Sequence, residues 1–306
     1  MIKELIKYRK DKLYYYSQYS FLPKQDREMI VQNTIISDFL DVSVEQISFV
    51  VSGFNHVFLV KTLEWDSQYF SIPTVKLLNV LFAHNDYSVL KKAFLKFKEF
   101  ILQSKNKYFI CEIPSEDNLV IQALNEIGFK LVETRLTYYL DLNKFSWDRY
   151  NVRSATINDI DNLKRVAREM RNEYDRFHSD KIYSNEIADE FLATYIEASV
   201  KGFADFTIVP DEFNVPPDAF VTAKYLKKDW GLIGENVSIM VLSAVSAKTC
   251  KGWYIKLISE MAYHLKGIGA SYAFMHPATT NRAVIHTYER LGCKYGKCIN
   301  ILTLSL

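Results

Sequence analysis

Glycine is scarce in this chain and its placement is lopsided. Of ten glycines in 306 residues, only Gly53 and Gly128 precede residue 150, and eight follow. Glycine supplies positive φ at tight turns and lets backbone approach a ligand, so the second half is the expected home of a backbone-lined site. Cysteine is scarcer still. Cys111, Cys250, Cys293 and Cys298 form no C-x-x-C pair and have no histidine at finger-like spacing, which argues against structural zinc and any other metal site. Four thiols in a chain that needs no staples point to a reducing compartment, and a cytoplasmic protein is expected. No run of about 18 apolar residues is present to span a bilayer. The opening MIKELIKYRKDKL interrupts its apolar residues with charge too often for a secretory h-region. An excess of one charge sign is missing too: residues 1–146 carry 18 Lys+Arg against 17 Asp+Glu, and the remainder 20 against 19. A dedicated nucleic-acid binder carries a basic excess, so nucleic acid is not an expected partner.

What is present is an ordinary globular composition, 49% hydrophobic and 24% charged, on a chain about two domains long. Strand-like and helix-like stretches alternate. Residues 24–40 read as a helix, 47–63 as two β runs around Gly53 and Asn55, and 74–82 as a strand. In 90–103, Leu90, Phe94, Phe97 and Ile101 fall on one face of an amphipathic helix with lysines opposite. The second half repeats the order, closing with the strand VSIMVLSAV, the helix GWYIKLISEMAYHLK and the segment SYAFMHP. Pro114-x-x-x-Asn118 precedes a helix ending at Gly128, and Pro277-x-x-x-Asn281 precedes one ending at Gly292. Agreement of element order on both sides of these matches predicts an internal duplication, with copies at 1–147 and 148–306. Coincidental turn chemistry is the competing explanation.

In NRAVIHTYERL, residues 281–291, Val284, Tyr288 and Leu291 fall at i, i+4 and i+7, so Tyr288 shares a face with core residues. By itself this describes a core-edge aromatic. With the strand VSIMVLSAV, a turn containing Gly252, a long helix and then N-R-A-x-x-x-x-Y-E-R-L-G, the second half resembles the Gcn5-related N-acetyltransferases, the GNAT family. The resemblance implies an α/β (α+β) fold in which each copy is a twisted, mixed, mostly antiparallel sheet flanked by helices. It also implies acetyl-CoA, or another acyl-CoA, as co-substrate. Carried onto this sequence, the backbone of Leu242, Ala244 and Val245 holds the acyl arm, Gly252 and its neighbours cradle the pyrophosphate at a helix N-terminus, Asn281 contacts the coenzyme, and Tyr288 is the general acid. Thr249 stands where the family has Gln or Arg, and Tyr254 where it has a small residue. Lys251, with Lys248, can supply positive charge beside the turn, or simply face solvent.

Two further stretches narrow the resemblance. LEWDSQYFSIP at 63–73, and YDRFHSD at 174–180 with FLATYIEASVKGFAD at 191–205, are similar to tandem acetyltransferases acting on nucleotide-linked amino sugars, the dTDP-4-amino-4,6-dideoxygalactose (dTDP-fucosamine) type. The expected acceptor is therefore a small molecule, a nucleotide-sugar amine. Arg176 offers a bidentate fork for phosphate, Phe177 a stacking face, and His178 and Asp180 hydrogen bonds to the sugar. The alternative is a capped loop in which Arg176 pairs with Asp175 or Asp180 and Phe177 plugs the core. Trp65 is expected in the core and Asp66 at a turn or cap. The first copy has Leu124 where the second has Tyr288, and AHNDYSV without glycine after its strand, so it is expected to be a degenerate scaffold.

The implied chemistry is direct attack of the amine on the thioester, with backbone N–H near Leu242 to Ala244 holding the oxyanion and Tyr288 protonating the departing thiolate. His276, Glu235 and Ser238, or a water relay, are candidates for the base. Cys250 and Cys293 lie near the motifs and would need an activating partner for an acyl-enzyme route. A catalytically inactive binding or regulatory module, and an acetyltransferase acting on another small amine or a peptide, are the rival readings. Exposed strand edges would permit a homodimer.

Overall fold

The computed structural model of the protein describes residues 1–23 and 26–306. The chain divides into two compact units, Met1–Arg135 with Lys297–Leu306, and Leu136–Gly296.

The first unit opens with α1 (Ile2–Tyr16), which the sequence reading left unassigned; Leu5, Arg9 and Leu13 recur at helical spacing and are buried. The helix expected over 24–40 is realised as α2 (Arg27–Ile30), a π turn (Val31–Ile36) and α3 (Ser37–Phe39), with Lys24 and Gln25 lying outside the described residues. The carboxylate of Asp26 accepts the first free N–H groups of α2. Strands β1 (Val44–Val51) and β2 (Phe54–Thr62) form a hairpin closed by Ser52 and Gly53, both at positive φ. That two-residue turn matches the right-handed strand twist, and Gly53 is the residue type it needs. There follow α4 (Glu64–Phe70), β3 (Thr74–Leu81), α5 (Tyr87–Leu102), β4 (Tyr108–Pro114), α6 (Asn118–Glu126) and β5 (Lys130–Asp141). The predicted face of α5 is buried: Leu90, Phe94, Phe97 and Ile101 pack with Phe58, Phe109 and Leu124 in one core. Trp65 is not in that core. It is 54% exposed and stacks on Tyr69, one turn along α4, because the apolar stripe of so short a helix is carried by Phe70.

The second unit runs β6 (Val152–Ser154), a 3-10 turn (Ile157–Asp159), α7 (Ile160–Glu169), α8 (Arg176–Ser179), α9 (Asn185–Ala198), a π turn (Ser199–Phe203), β7 (Phe206–Pro210), β8 (Ala219–Lys224), α10 (Lys227–Ile233), β9 (Val237–Val245), α11 (Trp253–Gly267), β10 (Tyr272–Met275), α12 (Arg282–Arg290) and β11 (Lys294–Ser305). Its core gathers Leu257, Ile258, Met261 and Leu265 of α11 with Ala219, Val221, Met240 and Ala273 of the sheet.

Both units have one order: antiparallel strands, a helix, a strand parallel to the one before the helix, a second helix, then a long strand. In the first, β1, β2 and β3 are antiparallel neighbours and β4 lies parallel to β3; in the second, β7, β8 and β9 are antiparallel neighbours and β10 lies parallel to β9. The long strands are exchanged between the copies. Residues 138–141 of β5 pair antiparallel with β10, and residues 299–305 of β11 pair antiparallel with β4. The units therefore divide inside β5 and β11 rather than at the expected 147. The segment expected to join the copies belongs to the second unit: Trp147 exchanges hydrogen bonds with Tyr263 of α11 (both 2.6 Å), and the guanidinium of Arg149 forks onto Glu260.

The caps also sharpen the internal match. Asp117 stands at the N-cap position of α6 as Asn281 does at that of α12, although only Asn281 makes a side-chain capping bond, so Asp117, not Asn118, is the counterpart of Asn281, and the spacing to Gly128 and Gly292 becomes equal. Among the described residues no helix is long and apolar enough to cross a membrane, and no group of three or more His, Cys, Asp or Glu is arranged to hold a metal.

Candidate active site

The site is built where β9 leaves β10. Their parallel pairing runs from Val237↔Tyr272 to Ile239↔Phe274, while β9 continues to Val245. On its other edge β9 carries a bulge: Val221 pairs with Ser243 but Ala223 with Met240, so one extra residue sits on β9. Thr222 holds this bulge closed. Its Oγ1 accepts from the N–H of Leu242 (3.0 Å) and donates to the same residue's carbonyl (3.2 Å). The N–H of Leu242, one of the expected oxyanion donors, is therefore engaged. Ala244 and Val245 pair with Phe220 and Ala219, and Ala244 is buried against Leu163 and Val166 of α7.

Beyond β9 the chain turns through 246–252 into α11. The residues at odds with a coenzyme loop have a structural reason here. Thr249 donates through Oγ1 to the buried carboxylate of Asp218 (2.7 Å), and Ser246 donates its N–H to the Asp218 carbonyl (2.9 Å), so the turn is tied to the β7–β8 loop. Burial penalises the Asp218 charge, but hydrogen bonds from Thr249 and Asn162 and the charge of Arg165 outweigh it and lower its pKa. Gly252 caps α11 at φ +85°, and a Cβ there would meet nothing within 4 Å. Backbone conformation, not crowding, selects glycine at this position. Lys248 and Lys251 are exposed on the turn. The N–H of Trp253 is used by the Cys250 carbonyl (3.0 Å), while the next N–H groups of the first turn have no carbonyl a turn earlier within the helix to meet.

Tyr288 lies on the inner face of α12, buried as its spacing predicts. Its hydroxyl is not in solvent: it shares a hydrogen bond of 2.8 Å with the hydroxyl of Tyr254, which also receives a 3.4 Å contact from Oγ of Ser243 on β9. Burial, followed by the charge and hydrogen bond of Tyr254, pushes the Tyr288 pKa well above its usual value. Asn281 spends its Oδ1 on the N–H of Val284, as a helix cap. Neither nearby cysteine is activated: burial raises the Cys250 thiol and pushes Cys293 up to about 12. The acyl-cysteine route thus loses its thiolate.

Of the candidate bases, only His276 is at this end of the strands. It follows β10 directly, and its Nδ1 lies 3.1 Å from Oγ1 of Thr137. Ser238 and Glu235 sit at the opposite end of β9, where Ser238 is buried and donates to the Tyr225 carbonyl (3.1 Å).

In the loop expected to bind the acceptor, Asp175 is a cap as the alternative reading has it, but its charged partner is His178 rather than Arg176. Asp175 caps α8, accepting from the N–H groups of Phe177 and His178, and its carboxylate also meets Nδ1 of His178 (2.9 Å). Nε2 of that ring meets Asp189 (3.1 Å), so the imidazole is held between two carboxylates. Burial disfavours its charge, yet the hydrogen bonds and charges of Asp175 and Asp189 prevail and raise its pKa. Phe177 packs on Phe191 (4.3 Å between centroids), Arg176 lies 4.2 Å over the Phe177 ring, and buried Asp180 accepts from the N–H of Ile182. These four residues lie together on α8 and its end, and Asp189, which sequence reasoning missed, reaches His178 from α9.

The first unit shows what the same scaffold looks like without these groups. Leu124, the counterpart of Tyr288, is fully buried in the apolar core. Asp117, the counterpart of Asn281, is engaged by Arg9 and by the hydroxyl of Tyr16 (2.7 Å).

No family model and no curated protein matches the chain. Solved structures do. A GCN5-related N-acetyltransferase from Sphaerobacter thermophilus aligns with TM-score 0.54 at 10% identity, over 98% of this chain and 93% of that one. A GNAT-family acetyltransferase from Colwellia psychrerythraea aligns with TM-score 0.51 at 11% identity, over 98% and 97%. A conserved protein of unknown function from Staphylococcus epidermidis ATCC 12228 aligns with TM-score 0.55 at 13% identity, over 90% and 99%. At these identities the likeness is one of fold, and the fold of this chain is that of the GCN5-related N-acetyltransferases.

Proposed function

We propose that the second unit transfers an acyl group, acetyl foremost, from an acyl-coenzyme A to the amine of a nucleotide-linked amino sugar, and that the first is a degenerate copy serving as scaffold. One observation carries the reading: at the end of β9 where β10 falls away, a bulged strand, the N-terminus of a 15-residue helix and the hydroxyl of Tyr288 come together. A splayed strand offers backbone groups that no neighbour uses, and a helix N-terminus favours a pyrophosphate.

In this reading the first turn of α11, with Gly252, Lys248 and Lys251, receives the pyrophosphate. Asn281 lines the acyl arm together with the backbone of Ala244 and Val245. Because Thr222 takes the N–H of Leu242, strand alternation turns that of Ser243 to the opposite edge, and Ser243 becomes the oxyanion donor of choice. Tyr288 delivers a proton to the departing thiolate, and His276 is the preferred base. Arg176, whose guanidinium lies over the Phe177 ring, is the phosphate contact for the acceptor; Asp180 and His178 keep α8 in the shape that presents it.

Acetyl-coenzyme A offered with dTDP- and UDP-linked amino sugars tests this directly, with thiol release as the readout. Turnover with at least one of them is expected, and acceptance only of simple amines would redirect the acceptor. Calorimetry with coenzyme A tests the donor: no heat of binding at millimolar ligand sinks the enzyme reading. The non-catalytic alternative draws on the engagement of Thr249 by Asp218 and of Tyr288 by Tyr254, and it predicts that result.

A further inference from the structure

Tyr254 is the second residue of α11, so its backbone belongs to the helix end next to the 246–252 turn, yet its side chain reaches across to two other elements. Its hydroxyl lies 2.8 Å from that of Tyr288 on α12 and 3.4 Å from Oγ of Ser243 on β9. The phenol therefore bridges the open half of β9 to α12, and its ring packs 6.2 Å from that of Tyr288. Tyr288 is buried, and behind it stand Tyr138 (6.1 Å between ring centroids) and Cys293. Tyr254 keeps part of its surface exposed although its hydroxyl is enclosed, whereas Tyr288 is buried throughout. In the first unit, by contrast, Val80, Phe82, Leu90, Val120 and Leu124, the last the counterpart of Tyr288, are all buried in one apolar core. In the second unit a polar side chain, Tyr254, is held at its tip by hydrogen bonds between β9 and α12.

The geometry points to Tyr254 as a removable plug: it bars the gap between β9 and α12 in the resting protein, and an acyl-thioester donor reaches Tyr288 only after the Tyr254 phenol swings out and gives up the Tyr288 hydroxyl. The proposal rests on the reading of the second unit as an acyl-coenzyme A site. It supplies a reason for a bulky residue at a position where a coenzyme loop would be expected to carry a small one. It also addresses the acidity of Tyr288. A phenol whose pKa is held high by burial and by a neighbouring hydroxyl is a poor proton donor, and departure of Tyr254 removes the neighbour's contribution while admitting the group to be protonated.

Calorimetric titration of wild-type protein, Tyr254→Ala and Tyr254→Phe with coenzyme A tests the plug. Truncation to Ala is expected to tighten binding by about tenfold, the scale of one lost hydrogen-bonded contact. Tyr254→Phe, which keeps the ring but not the hydroxyl, is expected to fall between that variant and wild type. Equal or weaker binding by a Tyr254→Ala protein that still melts cooperatively overturns the plug and leaves the acyl-coenzyme A reading standing. Binding by Tyr254→Ala alone supports the plug and rejects wild-type activity with this donor. Binding by none of the three removes both. Should Tyr254→Ala fail to fold, stopped-flow fluorescence of wild-type protein decides, with Trp253 adjacent to the moving residue. A plug that must first leave makes the observed rate level off as coenzyme A increases, whereas a rate that rises linearly through the millimolar range overturns the proposal.

Discussion

In the proposed reaction Tyr288 is the general acid, and its spacing with Val284 and Leu291 already put it on a buried face. Replacing it with Phe removes the proton and the hydrogen bond to Tyr254, so kcat is expected to fall on the order of 100-fold with coenzyme affinity within a few-fold of wild type. An unchanged steady-state rate removes Tyr288 from the acid role. Two histidine arrangements, both invisible in the sequence, give the protein opposite responses to pH. In the first unit His56 donates from Nδ1 to the Phe54 carbonyl (3.2 Å), so its Nε2 accepts from Nε2–H of His84 (2.7 Å), whose Nδ1 accepts from the N–H of Asp86 (3.1 Å). Burial, then the charge of His84, lowers the His56 pKa to about 4. A lowered histidine pKa means that the unfolded chain binds more protons, so this contribution, roughly 3 kcal/mol, is present above the unfolded pKa and is lost as pH falls from about 6.5 toward 4. Urea melts at pH 7.5 and 4.5 should show the loss, and His56→Gln should diminish it. His178 works the other way. Its raised pKa contributes stability below about pH 6.5 that disappears as pH climbs through the folded value, so exchange protection around α8 and α9 is expected to weaken above neutrality in wild type and to lose that dependence in His178→Gln. The loop was legible as YDRFHSD, but its role as a clamp was not, because Asp189 is a partner from a separate helix.

The elements themselves follow closely from local chemistry. The hairpin at Ser52-Gly53, the buried face of α5 and the glycine stops after α6 and α12 could be read from spacing and turn residues alone. What spacing could not reveal is irregularity within a strand. The bulge on β9 depends on Thr222 from the neighbouring strand, and one hydroxyl serves both the N–H and the carbonyl of Leu242. Thr222→Val keeps the shape and leaves both groups unpaired in a part-buried setting, at a cost of about 1 kcal/mol in urea unfolding. Thr222→Ser should restore most of it, a rescue that a purely steric role would not produce. The same holds for the 246–252 turn: Thr249 reads as a defect in a phosphate loop until Asp218, about thirty residues earlier, is seen to receive its hydroxyl.

At the level of the whole molecule the duplication was legible, because two copies of one fold repeat the same order of elements and the same glycine stops. The exchange of the long strands was not. Separate expression of residues 1–147 and 148–306 is expected to give two chains that do not fold cooperatively, since the first contains β4 without its antiparallel neighbour from β11 and the second contains β10 without its neighbour from β5. A sharp thermal transition in either fragment would contradict this. The sequence by itself determined most of the helices and strands, the hairpin turn and helix stops among them, that two similar sets of them occur, and which half carries Gly252, Asn281 and Tyr288. Those are properties of local periodicity, capping and turn conformation, which act over a few residues. Only the tertiary structure decided which strand closes which sheet, that His178 lies between two carboxylates and that Tyr254 holds Tyr288. Strand pairing and buried hydrogen bonds are settled by which groups meet in space, whatever the length of chain between them.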